Sequence, residues 1–168
     1  MTSNILGVDI GGVIIAGTEE HKDTFFNRAN YLETPAVEGA FEGLQELVDK
    51  HFHKRVYLVS KGGRHTEVKT REWLAHHDFY RKAGVREKHV NFCKERKDKA
   101  DRCRQLGVTH FIDDLLEVLG YLHEAGIKNL YLLNPHPNGV EEYKRYLRHV
   151  QPVASWKDTV EMMLRSVE

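Results

Sequence analysis

Cysteine is scarce in this chain: Cys93 and Cys103 are the only two among 168 residues. Two thiols do not make the disulfide framework of a small secreted domain, and no cysteine lies at zinc-like spacing from a histidine. Net charge is missing as well. Twenty-five basic residues balance 25 acidic ones, so no overall field favours nucleic acid or an anionic membrane surface, and any anion site must be local. No run approaches the roughly 18 apolar residues of a membrane span, and the N-terminus lacks a basic region followed by an apolar stretch and a cleavage site. Internal repeats, low-complexity tracts and interdomain linkers are absent too. Together these absences predict a cytoplasmic protein in a reducing compartment, with neither a nucleic-acid nor a membrane partner. The 11 histidines, His51, His53, His76, His77, His110 and His136 among them, are scattered, and solvated faces account for most of them.

The chain does have a core. Its composition, 40% hydrophobic and 30% charged, is globular, and its length suits one domain, 1–168. Short apolar runs recur at 4–10, 55–60, 89–93, 109–113 and 129–134, rich in β-branched and aromatic residues, as in strands buried on both faces. Between them lie segments of helical period, at 39–52, 66–77, 98–107 and 115–126, with Gly107 and Gly126 where helix-ending glycines are expected. A closing helix follows Ser155 as its cap. Alternating strands and helices predict an α/β fold: a Rossmann-like, doubly wound parallel sheet of about five strands with helices on both faces. Residues 16–38 form a polar, aromatic-bearing insertion after the first strand, longer than most such connections. In a fold whose sites lie at the carboxyl ends of the strands, this small insertion overhangs the site as a cap or flap.

Chemistry gathers at those strand ends. The first strand ends on Asp9, the second on Ser60, and the fourth on Asp113 and Asp114. The basic segment "CKERKDKADR" precedes the fourth. Carboxylates, a hydroxyl and an ammonium converging there suit phosphoryl transfer, with Mg²⁺ held by hard oxygen ligands. Each residue also has a plainer reading. Asp9 can serve a turn made by Gly11 and Gly12, and Ser60 can cap a helix. Asp113 and Asp114 can cap the helix after them, and the lysines can be a solvated face. "KGGR", 61–64, is either a flexible turn before a helix starting near Thr66 or, through its amides and Arg64, a contact for an anionic substrate. Cys93, Cys103, Trp73 and Trp156 read as core packing.

Four of these features in this order, "GVDIGGV", Ser60 in "YLVSK", Lys99 in "RKDKADR" and "FIDD", resemble the motifs of the haloacid dehalogenase-like hydrolase superfamily. The resemblance runs from residue 4 to about 133. It implies that Asp9 attacks phosphorus to give an aspartyl-phosphate, that Ser60 hydrogen-bonds the phosphoryl group and that Lys99, or alternatively Lys97, neutralises charge. Asp9, Asp113, Asp114 and the backbone carbonyl at Gly11 are the implied Mg²⁺ ligands. Gly11, Gly12, Lys61 and Arg64 are the substrate-binding candidates, and the implied partner is a phosphorylated small molecule or macromolecule.

One position departs from the pattern. Phosphatases of that superfamily carry a second Asp two residues after the nucleophile, which protonates the leaving group; here it is Gly11. Loss of a positioned acid forfeits roughly 10²–10⁴ in rate, least for acyl and aryl phosphates, whose leaving groups need no proton. Branches lacking this Asp include dehalogenases and a phosphonate-cleaving group. Glu19, Glu20 or His21 on the insertion are candidate substitute acids. The sequence thus predicts a phosphohydrolase-type enzyme of weakened or specialised activity. The alternative is a catalytically inactive descendant, a pseudo-phosphatase that senses phosphate or binds a partner. A remote third reading is an ATP-binding fragment of a sugar kinase, because "DIGG" resembles that phosphate loop. That fold needs a second lobe and a second phosphate motif, and this chain supplies neither.

Overall fold

The computed structural model describes residues 3–17 and 29–166. Six parallel strands form one sheet: β1 (Leu6–Val8), β2 (Val56–Lys61), β3 (Val90–Cys93), β4 (His110–Asp113), β5 (Asn129–Leu133) and β6 (Gln151–Val153). Their order is β3-β2-β1-β4-β5-β6. The chain winds outward from β1 to β3, then crosses back to place β4 on the other side of β1. In register, Val8 faces Leu58 of β2 and Ile112 of β4. The order reverses between β1 and β4, and their carboxyl ends flank the crevice where doubly wound sheets bind ligands.

Alternating strand residues feed two cores. Leu58, Ile112, Tyr131 and Leu133 join Leu6, Val8, Leu44, Trp73 and Trp156 on one face. Their neighbours Val59, Phe111, Leu130 and Leu132 join Leu116, Leu119 and Cys103 on the other. Helices α1 (Ala40–Leu47), α2 (Arg64–His76), α3 (Phe79–Ala83) and α6 (Trp156–Ser166) cover the first face; α4 (Asp98–Leu106) and α5 (Leu116–Glu124) cover the second. Burial on both faces is why these strands read as apolar runs without alternation. Trp73 and Trp156 are packing residues whose indole N–H groups donate to the carbonyls of Thr34 and Val13. Cys93 and Cys103 are buried free thiols. Ser155 caps α6, its hydroxyl accepting from Asp158 N–H at 3.0 Å. Gly107 and Gly126 both take positive φ where their helices end.

The structure amends three expectations. The sheet has a sixth strand: β6 holds Pro152 and is exposed at two of its three residues, and only an edge strand accommodates proline so readily. The helical pattern at 39–52 is α1 followed by a π-helical turn, Val48–Phe52. The helix after "KGG" begins at Arg64 rather than near Thr66. His110 and His136 are buried, the exceptions to the solvated faces expected of most histidines.

His110 sits edge-on to Phe52, with 5.4 Å between ring centroids, and its Nδ1 lies 2.7 Å from Thr109 Oγ1. Burial, and then the nearby His51, push it down to about 4. The unfolded chain therefore binds a proton here that the folded chain refuses. Stability from this group is complete above the ordinary histidine value of about 6.5 and is lost as pH falls toward 4. We expect this component to be about 2 kcal/mol, allowing for partial screening, and to vanish in His110→Phe. Urea midpoints of the two proteins compared across pH 4–7 measure it; parallel profiles would refute the assignment.

Candidate active site

Past Asp9 the chain turns sharply. The Ile10 carbonyl accepts from the N–H groups of Val13, Ile14 and Ile15, and Gly12 N–H donates to the Ile15 carbonyl at 2.9 Å. Buried Val13, Ile14 and Ile15 pin the turn to the core, and the Trp156 indole holds it through the Val13 carbonyl at 2.8 Å. The foot of the insertion closes over the turn, with Ala16 N–H donating to Pro35 O and Val37 N–H to Ile14 O. Beyond that foot, Glu19, Glu20 and His21 lie outside the described residues.

Gly12 has φ +81°, and a Cβ there would lie 2.2 Å from Asp114 Oδ2. Glycine is needed here twice, for the left-handed backbone and for the approach of a carboxylate. Gly12→Ala should cost about 1–2 kcal/mol from backbone strain alone and displace Asp114, which a lowered urea midpoint detects. Gly11 is the opposite case. It is exposed, and a Cβ built on it meets nothing within 4 Å.

Asp9, Asp113, Asp114 and Lys99 converge. Lys99 is 2% exposed, and its ammonium donates to Asp9 Oδ1 at 2.9 Å and Asp113 Oδ2 at 3.1 Å. Burial lowers its affinity for the proton, but the two carboxylates outweigh burial and hold that affinity above the ordinary lysine value. Asp113 is fully buried, and its Oδ1 accepts from Leu115 N–H at 3.0 Å. Burial, then the charge of Asp9, push Asp113 up to about 6, against the opposing pull of Lys99. One carboxylate oxygen from each of Asp9, Asp113 and Asp114 lies within 4.8 Å of the others. Three acids against one ammonium leave an excess of negative charge among hard oxygen donors, which fits a small divalent cation such as Mg²⁺.

The remaining candidates lie outside this bonded cluster. Ser60, 8% exposed, is the penultimate residue of β2, two beyond the Leu58 that faces Val8 of β1. Lys97 and Lys94 are exposed ahead of α4, and of the three lysines in that segment only Lys99 turns inward. Lys61 and Arg64 are exposed on either side of the two glycines that precede α2.

Sequence reasoning missed the turn after β5. In "NPHPNG" (134–139), Pro135 and Pro137 have no N–H to offer. The two donors between Asn134 and Gly139 are both used: His136 N–H holds the Asp114 carbonyl at 2.8 Å, and Asn138 N–H donates to His136 Nδ1 at 3.1 Å. The imidazole thus locks a turn that supports Asp114 from behind. The alternation of proline with histidine was the available signal, since proline pre-orders the chain around a single donor.

No protein-family model and no curated protein matches this sequence. Solved structures do. D,D-heptose 1,7-bisphosphate phosphatase from B. bronchiseptica, complexed with magnesium and phosphate, is 13% identical with a TM-score of 0.66, over 98% of this chain and 99% of that one. The same phosphatase from Burkholderia thailandensis is 15% identical with a TM-score of 0.60, over 96% and 99%. A Burkholderia xenovorans protein described as a haloacid dehalogenase-like hydrolase is 14% identical with a TM-score of 0.64, over 99% and 100%. At such identities the likeness is one of backbone, running nearly the full length of both chains. This chain therefore has the fold of the haloacid dehalogenase-like hydrolases.

Proposed function

We propose that this chain is a Mg²⁺-dependent phosphohydrolase that transfers a phosphoryl group to Asp9 and favours leaving groups that need no proton. The observation that carries the reading is the buried Asp9–Lys99–Asp113 arrangement, with Asp114 beside it, at the switch point of the sheet. Burying this much like charge costs several kcal/mol per ion unless it is compensated, and a structural role would be met by an apolar strand end. That the B. bronchiseptica phosphatase was solved with magnesium and phosphate supports the same assignment.

In this reading Lys99 holds Asp9 through Oδ1, leaving Oδ2 to attack phosphorus. The phosphorus–oxygen bond to the leaving group breaks, and the leaving oxygen departs with the electron pair. Water then attacks the phosphoaspartate, releasing phosphate and regenerating Asp9. Ser60 donates its hydroxyl to a phosphoryl oxygen. Asp9, Asp113, Asp114 and the Gly11 carbonyl would hold Mg²⁺, which would neutralise charge on the phosphoryl group. Lys99 offsets one of the carboxylates, so the nucleophile stays ionised yet oriented. Gly11 supplies no proton to the departing oxygen, which restricts efficient turnover to acyl and aryl phosphates.

Gly11 also favours a second reading, a phosphate-sensing or partner-binding protein without turnover. Mg²⁺-dependent release of 4-nitrophenol from 4-nitrophenyl phosphate, lost in Asp9→Asn, separates the two. Binding of Mg²⁺ and phosphate by the parent without any turnover would favour the second.

A further inference from the structure

Between the end of β2, the loop before α4 and the start of α5 lies an open cleft of about 480 Å³, lined by Lys61, Glu95, Arg96, Lys97, Glu117 and Tyr121. Its walls adjoin the cluster in sequence: Lys61 follows Ser60, Lys97 shortly precedes Lys99, and Glu117, in the first turn of α5, lies three residues after Asp114. None of the cluster residues lines it. Arg96 is committed: its guanidinium donates to Glu117 Oε1 at 3.0 Å, while the Tyr121 hydroxyl donates to Glu117 Oε2 at 2.7 Å. This cross-link ties the loop before α4 to α5 and fixes one wall. Lys61 and Lys97 are different. Both are exposed, and neither ammonium forms an ion pair among the described residues.

We propose that this cleft seats a second anionic group, a phosphate or carboxylate, carried by the leaving portion of the substrate and reached by both Lys61 and Lys97. The proposal rests on the phosphohydrolase reading above. Three cations line the cleft against two carboxylates, and the one cation in an ion pair, Arg96, already has Glu117. The compensation left over is positive and lies away from the cluster, where the transferred phosphoryl group would be met. Exposed Glu95 gives the rim an acceptor for a substrate hydroxyl. The volume lies within the range of small-molecule clefts, roughly 300–1,000 Å³. Lys97, an exposed lysine close to Lys99, thereby has a task of its own.

Two esters differing by one carboxylate, 4-nitrophenyl phosphate and 3-carboxy-4-nitrophenyl phosphate, test this. With Mg²⁺, the parent should show a lower KM for the carboxylated ester. Lys61→Ala and Lys97→Ala should each shrink that preference roughly two- to fivefold, the double variant should bring it near unity, and 0.5 M salt should weaken it in the parent. Calorimetric binding of both esters to Asp9→Asn reads the same preference without turnover. Equal affinity for the two esters overturns the cleft assignment even if both are hydrolysed. Hydrolysis of neither, with the binding preference intact and lysine-dependent, overturns the phosphohydrolase reading and leaves an anion site.

Discussion

Asp9→Asn should lower Mg²⁺-dependent hydrolysis of aryl and acyl phosphates by on the order of 10⁴-fold or more, as expected when a nucleophile is removed. The variant should remain folded. Its carboxamide oxygen can still accept the Lys99 hydrogen bond that Asp9 Oδ1 accepts at 2.9 Å, and Lys99 keeps its pairing with Asp113. The change removes the nucleophilic electron pair and one of three clustered negative charges without opening a cavity. Mass spectrometry of acid-quenched reactions should find a phosphorylated peptide containing Asp9 in the parent and none in the variant. Residual activity within tenfold of the parent would exclude Asp9 as the nucleophile.

The second large effect runs the other way. Gly11 has no positive φ and open space where a Cβ would stand, so aspartate enters there without strain. Gly11→Asp places a carboxyl group two residues beyond the nucleophile. It should raise kcat/KM for alkyl phosphates by roughly 10²–10⁴ while changing aryl phosphate turnover much less, because only the alkyl leaving group needs a proton. The same carboxyl can take the proton of the attacking water in the second step. The parent should therefore accumulate phosphoaspartate, seen as a burst of 4-nitrophenol, and the variant should show a smaller burst. Gly11→Ala is the control for backbone effects. If Gly11→Asp leaves the ratio of alkyl to aryl turnover unchanged, the site lacks more than its acid.

The strand-end residues were legible because each lies where an apolar run meets a polar atom, a boundary that a parallel sheet places on one edge. Asp9, Ser60 and the Asp113–Asp114 pair follow from this, with no knowledge of packing. Choosing between Lys97 and Lys99 needed the fold. Every residue of "KERKDK" is polar, so hydrophobic period says nothing, and only the inward face that Lys99 shares with Cys103, one turn on, separates them. The carboxylates that make burial of Lys99 possible come from β1 and β4, far off in sequence.

Other features were hidden for different reasons. β6 has three residues, one of them proline, and no apolar run; it exists because β5 presents an open edge. His110 follows a threonine and looks polar in sequence, yet the sheet buries it on β4. The support His136 gives Asp114 is a backbone contact; the alternation of proline with histidine marks the turn, but hydrophobic patterning does not say which residue the turn meets. The helix α3 is too short, at Phe79–Ala83, for a period to be read.

The place of β1 between β2 and β4 has a consequence for how the protein is made. Ile5 N–H reaches Thr109 Oγ1 across 104 residues of chain, and contacts of that sequence separation slow folding because loop closure precedes any reward. While the chain leaves the ribosome, β1 stays an open apolar edge until β4 emerges, and an early stop would leave a fragment prone to aggregate. Lys99 emerges ahead of Asp113, so the neutralising cation is in hand before the second acid arrives to be buried beside the first.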